Sequence, residues 1–317
     1  LWAVPGLVDG HAHFSAVEGV DWVSDGEGVV RRAAEALAGG VMLALDKGWM
    51  DLTTIEIISR TGLSDRPDIE AAGVINTVEG GYWPDFGRMV GRGQIREVVA
   101  EAAAESMGWV KLIGDWPRQG QGPVANFTES ELGIAVNVAE DLGARVAIHT
   151  MAREVPSMAV RAGVHSIEHG LFLTENDLIE LGARGGMWVP TILRMEAVIG
   201  QLGADSSGGR LLREGVENAA KLLDTAVEAG VYVLAGSDLA VGTGAVAAEA
   251  IRLLELGMSP ALVVAAVSTS GYRATGRPSE FDIGTSANAV LYAEDPVTDP
   301  RMLAHPRHVV RLGRVLG

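Results

Sequence analysis

A chain of 317 residues has room for one sizeable core and a small appendage, and at that length an α/β barrel stays a single domain. Its formal charge of −16, from 41 acidic and 25 basic side chains, repels phosphate backbones, so no nucleic-acid partner is expected. Cysteine is absent, which excludes disulfides and thiolate metal ligands, and no apolar run reaches membrane-spanning length.

The hydrophobic share of 48%, with 41 glycines and 12 prolines, argues against global disorder and suits short elements joined by tight turns. A candidate core strand begins almost at once, with neither an initiator methionine nor a signal-like segment before it. That abrupt start carries the expectation that an N-terminal portion is missing, and the cytoplasm is the default location.

The first apolar run, Leu7-Val8, passes into Asp9-Gly10-His11-Ala12-His13. Period-two geometry puts His11 and His13 on one side of a strand end, where two imidazoles can meet one metal ion. Taken alone, the pair also fits a structural or solvent-exposed reading. A helix is expected over 28–37, then a strand over 41–45 with Asp46-Lys47-Gly48 at its exit, and a helix over 53–59 before a polar turn near 64–68. The third strand is placed at 74–78. Its following loop, 79–87, is rich in glycine and aromatics and reads either as a pocket wall or as a surface loop packed by its own rings.

A helix over 94–106 delivers the chain to Trp109-Val110-Lys111-Leu112-Ile113. An unpaired buried ammonium is costly, so Lys111 needs a carboxylate partner, a strand-end position or chemical modification. Helices over 129–142, 155–162, 173–181 and 211–229 then alternate with strands that end at His149, at His169, near Thr191 and before Gly236-Ser237-Asp238. Strand starts near residues 7, 41, 74, 109, 144, 165, 187 and 231 point to a closed parallel barrel. Helices over 244–256 and 260–268 and short strands or a ribbon at 289–292 and 308–315 complete the chain. The expected fold is α/β, a distorted TIM (β/α)8 barrel over 1–280, with 281–317 as the C-terminal part of a small, incomplete flanking β domain.

His11, His13, Lys111, His149, His169 and Asp238 all fall at or just beyond strand ends, which share one face in such a barrel. Together with Pro5-Gly6-Leu7-Val8-Asp9-Gly10-His11-Ala12-His13, Ser166-Ile167-Glu168-His169-Gly170 and Gly236-Ser237-Asp238, they resemble the amidohydrolase superfamily over nearly the whole chain. The order and spacing are most similar to the branch of imidazolonepropionase-like proteins and carboxylated-lysine dipeptidases that cleave Xaa-Pro or related peptides.

That resemblance implies two divalent metals, with zinc the first choice and manganese or cobalt also suited to the ligands. His11 and His13 would hold one ion and His149 and His169 the second. Lys111, carbamylated by carbon dioxide, would bridge them. Asp238 would bind the first metal and shuttle a proton, with a bridging hydroxide as the nucleophile. The implied reaction is hydrolysis of an amide C–N bond in a dipeptide or N-acyl amino-acid derivative. Lactone or ester hydrolysis by the same centre, mononuclear deamination and a non-catalytic binding barrel stay open, with Lys111 weighing against deamination.

Tyr82, Trp83, Trp116, Arg118 and Arg194 follow barrel strands and are the candidate substrate contacts, against a reading as loop packing or solvent-facing charge. His165 lies roughly 13 Å from His169 along an extended strand and is set aside. Glu168 is expected to point opposite His169 and to organise a neighbour. His305 and His308 belong to the appendage, and Ala287-Asn288-Ala289-Val290 departs from the alanine-aspartate-leucine pattern frequent at that point of the family. The expected partner is a small molecule or short peptide, and a homo-oligomer stays open.

Overall fold

Strands buried on both faces read as nearly continuous apolar runs, and the computed structural model follows that rule through residues 1–17, 24–118, 121–279, 281 and 283–316, which it describes. Strands Leu7–Ala12, Val41–Asp46 and Asp68–Ala71 pair in parallel in that order. Asn76–Thr77, Trp109–Ile113, Arg145–Thr150, Ser166–His169, Met187–Val189 and Tyr232–Val233 continue as a second parallel set.

Two seams close these sets into a ring. At one, Trp49 bridges Val74 in parallel. At the other, Gly10 N–H donates to the Ala235 carbonyl and Asp238 N–H to the His11 carbonyl, each at 2.8 Å. Glycine is required there. A Cβ on Gly236 would lie 2.7 Å from His11 Cβ, and one on Gly10 would lie 2.8 Å from Leu234 Cβ.

The third barrel strand differs from the expected 74–78. It starts earlier and is split, Asp68–Ala71 pairing with Val41–Asp46 and Asn76–Thr77 with Trp109–Ile113. Gly73 at φ 69° turns the chain between the halves, and its carbonyl accepts from Trp49 N–H at 2.9 Å.

Helices outside the ring present buried stripes to it, as in Glu129–Asp141, where Leu132, Ala135, Val136 and Ala139 are covered. That helix and Glu175–Ala183 both start with a capping box, Thr128 with Glu131 and Thr174 with Asp177. Helix Ser207–Glu228 begins four residues before the expected 211. Ile192–Leu202 is a further helix that periodicity did not mark.

The small antiparallel sheet runs Trp2–Pro5, Ala289–Tyr292, His308–Arg311, Arg314–Leu316. The first residues of the chain therefore share a sheet with the last ones. The segment 308–315, expected as short strands or a ribbon, is a hairpin, turned by Leu312 and Gly313 at φ 51° and 77°. Among the described residues, no helix is long and apolar enough to cross a membrane.

Candidate metal centre

His11 and His13 come from the end of the first barrel strand, and Asp238 lies beyond the last. The closure just described makes them neighbours. His11 Nε2 and His13 Nε2 are 3.2 Å apart, and Asp238 Oδ1 lies 3.5 Å and 3.4 Å from them. These three buried residues offer ligand atoms that all fall within 4.8 Å of one another.

Their outer contacts decide where the protons sit. His13 Nδ1 is 2.6 Å from the Gly48 carbonyl, which can only accept, so Nδ1 carries the hydrogen. His11 Nδ1 lies 2.6 Å from Glu168 Oε2. Burial alone would raise the Glu168 pKa, but Lys47, His11 and Lys111 outweigh it and hold the carboxyl well below its ordinary range. An ionised carboxylate only accepts, so His11 is also protonated at Nδ1. Burial lowers the His11 pKa to about 4, despite the opposing pull of Asp238, leaving the ring neutral at neutral pH. The His11 Nε2 lone pair therefore faces His13 Nε2 and Asp238 Oδ1. That arrangement fits a divalent cation, whose ligating histidines direct their other nitrogen to an acceptor in the same way.

The backbone builds this geometry with few spare atoms. Asp9 Oδ1 accepts from Ser237 N–H at 3.0 Å and His11 N–H at 3.1 Å, stitching the first strand to the last. Asp46 accepts from Phe14 N–H and Gly48 N–H, both at 2.7 Å, which fixes the loop after His13 and the carbonyl that meets it. Burial would push Asp238 up, but His11, a hydrogen bond from His13, His169 and Arg194 bring its pKa well below the usual value.

His149 and His169 meet beside this group, His169 Nε2 lying 2.9 Å from His149 Nδ1. The Thr191 hydroxyl donates to the Pro190 carbonyl at 2.8 Å and so accepts from His169 Nδ1 at 2.6 Å. A hydrogen bond from His149 Nδ1 to His169 Nε2 satisfies this second imidazole pair. The His169 ring is 5.7 Å from that of His11, and its Nδ1 is 3.8 Å from Asp238 Oδ2.

Lys111 is buried in its strand, and Nζ has no hydrogen-bond partner among the described residues. Burial lowers its pKa to about 8, against the field of Glu168. The carboxylate goes instead to Lys47, whose Nζ is 3.0 Å from Glu168 Oε1 and 4.5 Å from the centre of the Trp109 ring. Glu168 thus organises His11 and Lys47. It does not point away from His169, because His169 sits at φ 63°, where strand alternation fails, with its carbonyl held by Trp188 Nε1 at 2.8 Å.

The substrate-contact candidates divide. Tyr82 stacks edge-on against Trp116 at 4.6 Å and lies 6.4 Å from the His149 ring, while Trp116 lies 5.8 Å from it. Trp83 packs on Trp116 at 5.2 Å and is 38% exposed, so it stands at the rim. Burial, with Asp238 adding to it, pushes the Tyr82 phenol well above its ordinary value and keeps it a donor. Arg194 is half-buried, and its charge reaches both Tyr82 and Asp238. Arg118 is turned aside, its Nη2 donating to Asn126 Oδ1 at 3.1 Å.

A cavity of about 330 Å³ opens beside His13 and Ser237, bounded by Arg31, Arg32 and Thr243. His165 faces away from the centre and contacts Glu140 at 3.1 Å. Lys47, Thr191 and Asp9 are site residues that the sequence reading did not single out. Lys47 alone carried a usable signal, a lysine just past an apolar run.

The profile of the amidohydrolase family matches residues 2–316. An uncharacterized protein of Mycobacterium tuberculosis is 30% identical over 331 residues, covering 100% of this chain and 85% of that one. Ochratoxinase of Aspergillus niger is 24% identical, over 87% of this chain and 58% of its own length. Among solved structures, a Xaa-Pro dipeptidase with bound methionine superposes with a TM-score of 0.82 at 22% identity, covering 99% of this chain and 86% of that one. The A. niger ochratoxinase structure gives 0.83 at 20% identity, with 99% and 82% covered.

Proposed function

The chain belongs to the amidohydrolase family and is a metal-dependent hydrolase of an amide C–N bond; within that activity, we propose that its substrate is a dipeptide of the Xaa-Pro kind or an N-acyl amino acid. The observation that carries this reading is the pair of buried Nε2 atoms turned toward each other and toward Asp238, with both Nδ1 atoms directed outward to oxygen acceptors. A divalent cation bound there polarises a carbonyl and acidifies water.

Asp238, held deprotonated, takes the proton of the attacking water and passes it to the leaving nitrogen. We read zinc as the metal; His149 and His169 would hold a second ion, and Lys111, as a carbamate, would supply an anionic ligand. In forming it, the free amine would add to the carbon of carbon dioxide and release a proton. A pKa of about 8 leaves free amine for it at neutral pH, and an unpartnered Nζ leaves room.

Tyr82 donates to the substrate carbonyl, Tyr82, Trp83 and Trp116 wall an apolar or ring-bearing residue, and Arg194 pairs with the substrate carboxylate. Arg118 braces its loop through Asn126 and is withdrawn from that role. Support for the substrate class also comes from the Xaa-Pro dipeptidase that this fold resembles.

The test is a panel of Xaa-Pro dipeptides, N-acyl amino acids, esters and lactones, run with metal-loaded and chelator-treated protein, alongside metal analysis. Amide turnover that needs metal and falls when the substrate carboxylate is amidated is expected. Strong lactone turnover without amide turnover would replace this reading by lactone hydrolysis, and deamination with one metal per chain would replace it by a deaminase.

A further inference from the structure

We infer that Glu249 is a positioning residue for the hydrolytic centre, acting through Thr191 on His169 and Arg194; this rests on the assignment of His169 and Arg194 proposed above. Glu249 lies in helix Ala247–Glu255 and is fully buried. It reaches out of its own helix to grip the start of another, Oε1 accepting Ile192 N–H at 2.6 Å and Oε2 accepting Leu193 N–H at 3.0 Å. Helix Ile192–Leu202 has no cap of its own from Thr191. The Thr191 hydroxyl is committed elsewhere, to the Pro190 carbonyl and to His169 Nδ1.

Thr191 also sits at φ 46° and ψ 51°. A β-branched residue holds that left-handed conformation only where its surroundings enforce it. The two N–H groups directly after it are the ones Glu249 grips, so its carboxyl oxygens fix the turn that aims Oγ1 at His169. Arg194 follows one residue later, on the first turn of the same helix.

Packing does not account for the carboxyl group. Among the described residues no lysine, arginine or histidine lies within ion-pair distance of Glu249, and burial raises its pKa to about 8, against the hydrogen bonds from Leu193 and Ile192 N–H. Position is what it supplies.

The test uses metal-free, histidine-labelled protein and long-range proton–nitrogen correlation spectra, which report the tautomer of each ring. The His169 signals are identified by their loss in His169→Asn. Thr191→Val and Glu249→Ala are both expected to shift the His169 signals while those of His11 and His13 stay in place, with Glu249→Gln intermediate because one acceptor oxygen is kept. In metal-loaded enzyme, Glu249→Ala is expected to lower kcat/KM at least tenfold, through KM where Arg194 is displaced and through kcat where His169 is.

A Glu249→Ala protein that melts earlier but keeps wild-type His169 signals and kinetics would overturn the proposal. So would a His169 shift in Thr191→Val with none in Glu249→Ala. If Glu249→Ala does not fold, Glu249→Gln carries both readouts. If wild-type protein hydrolyses nothing in the panel, the functional reading fails while the spectra still decide the role of Glu249.

Discussion

Glu168→Gln keeps the shape of a buried side chain and removes its charge. In the native protein Oε2 is 2.6 Å from His11 Nδ1, and Oε1 is 3.0 Å from Lys47 Nζ and 2.6 Å from Ser166 Oγ. Lys47 and Glu168 are both at 0% exposure, so water cannot take over a lost contact. Breaking a buried ion pair from one side strands the other charge, at a cost of about 3–5 kcal/mol. Against a typical total stability of about 5–15 kcal/mol, that is a large fraction.

Urea unfolding of metal-free Glu168→Gln, followed by circular dichroism, should show the loss. Adding Lys47→Met should return most of it, because the stranded charge is then gone. The double variant should still bind divalent metal about 10–100-fold more weakly in chelator competition, since nothing pins the His11 tautomer. A single variant within about 1 kcal/mol of wild type, or a double variant no more stable than the single, would refute the placement of charge described above.

Asp238→Asn should cut hydrolysis by about 10²–10⁴-fold with an unchanged circular dichroism spectrum, because a proton acceptor is lost and shape is kept. Gly236→Ala should lower stability by about 1–3 kcal/mol and weaken metal binding together, measured by thermal melting and metal titration, since the added methyl would press on His11. Burial raises Asp115 from 3.8 to about 7, against hydrogen bonds from Ala152 and Met151 N–H. Between those values the folded chain keeps a proton that the unfolded chain has released, so the contribution of Asp115 to stability falls as pH rises through that window. The fall is up to about 1.4 kcal/mol per pH unit. Unfolding curves of wild type and Asp115→Asn should therefore differ in slope from pH 4 to 7, and parallel curves would show that the proton is not held.

Imidazoles at the ends of apolar strands have no packing reason to be there, which is why His11, His13, His149 and His169 are legible in the sequence as one site. The barrel is legible for a related reason: glycine and polar punctuation separates its apolar runs. What escapes is whatever the backbone re-aims or supplies from afar. Period two predicts Glu168 and His169 on opposite sides, and a left-handed His169 cancels it.

Helix Ile192–Leu202 has a threonine at its N-cap, but the Thr191 hydroxyl is turned to Pro190 and His169 and the first N–H groups are met by Glu249, from a different helix. Lys47 stands beside Gly48 and reads as part of a turn, although the reasoning that marks Lys111 applies to it equally. Trp2–Pro5 is too short to show a period, and its partner Ala289–Tyr292 lies at the other end of the chain.

The costs of this fold collect at the mouth of the barrel. Of the six non-glycine residues with positive φ among those described, His169, Thr191, Asp238 and Leu239 lie there, each carrying about 1–3 kcal/mol of strain. The unpartnered Lys111 amine adds to them. Repacking cannot relieve these terms, because the flanking strands are locked together by contacts only glycine allows at Gly10 and Gly236. His11, His13 and Asp238 are brought together only by the folded chain, so binding of a cation there would be coupled to folding. Each tenfold excess of free metal over its Kd should add about 1.4 kcal/mol to stability. Lys111→Met removes the buried amine and should make the metal-free protein more stable by about 1–3 kcal/mol. If Lys111 joins two ions as proposed above, the variant should also bind fewer metal ions per chain. Unfolding midpoints with and without zinc would show both effects, and a metal-free Lys111→Met protein less stable than wild type would mean that the amine has a partner in solution.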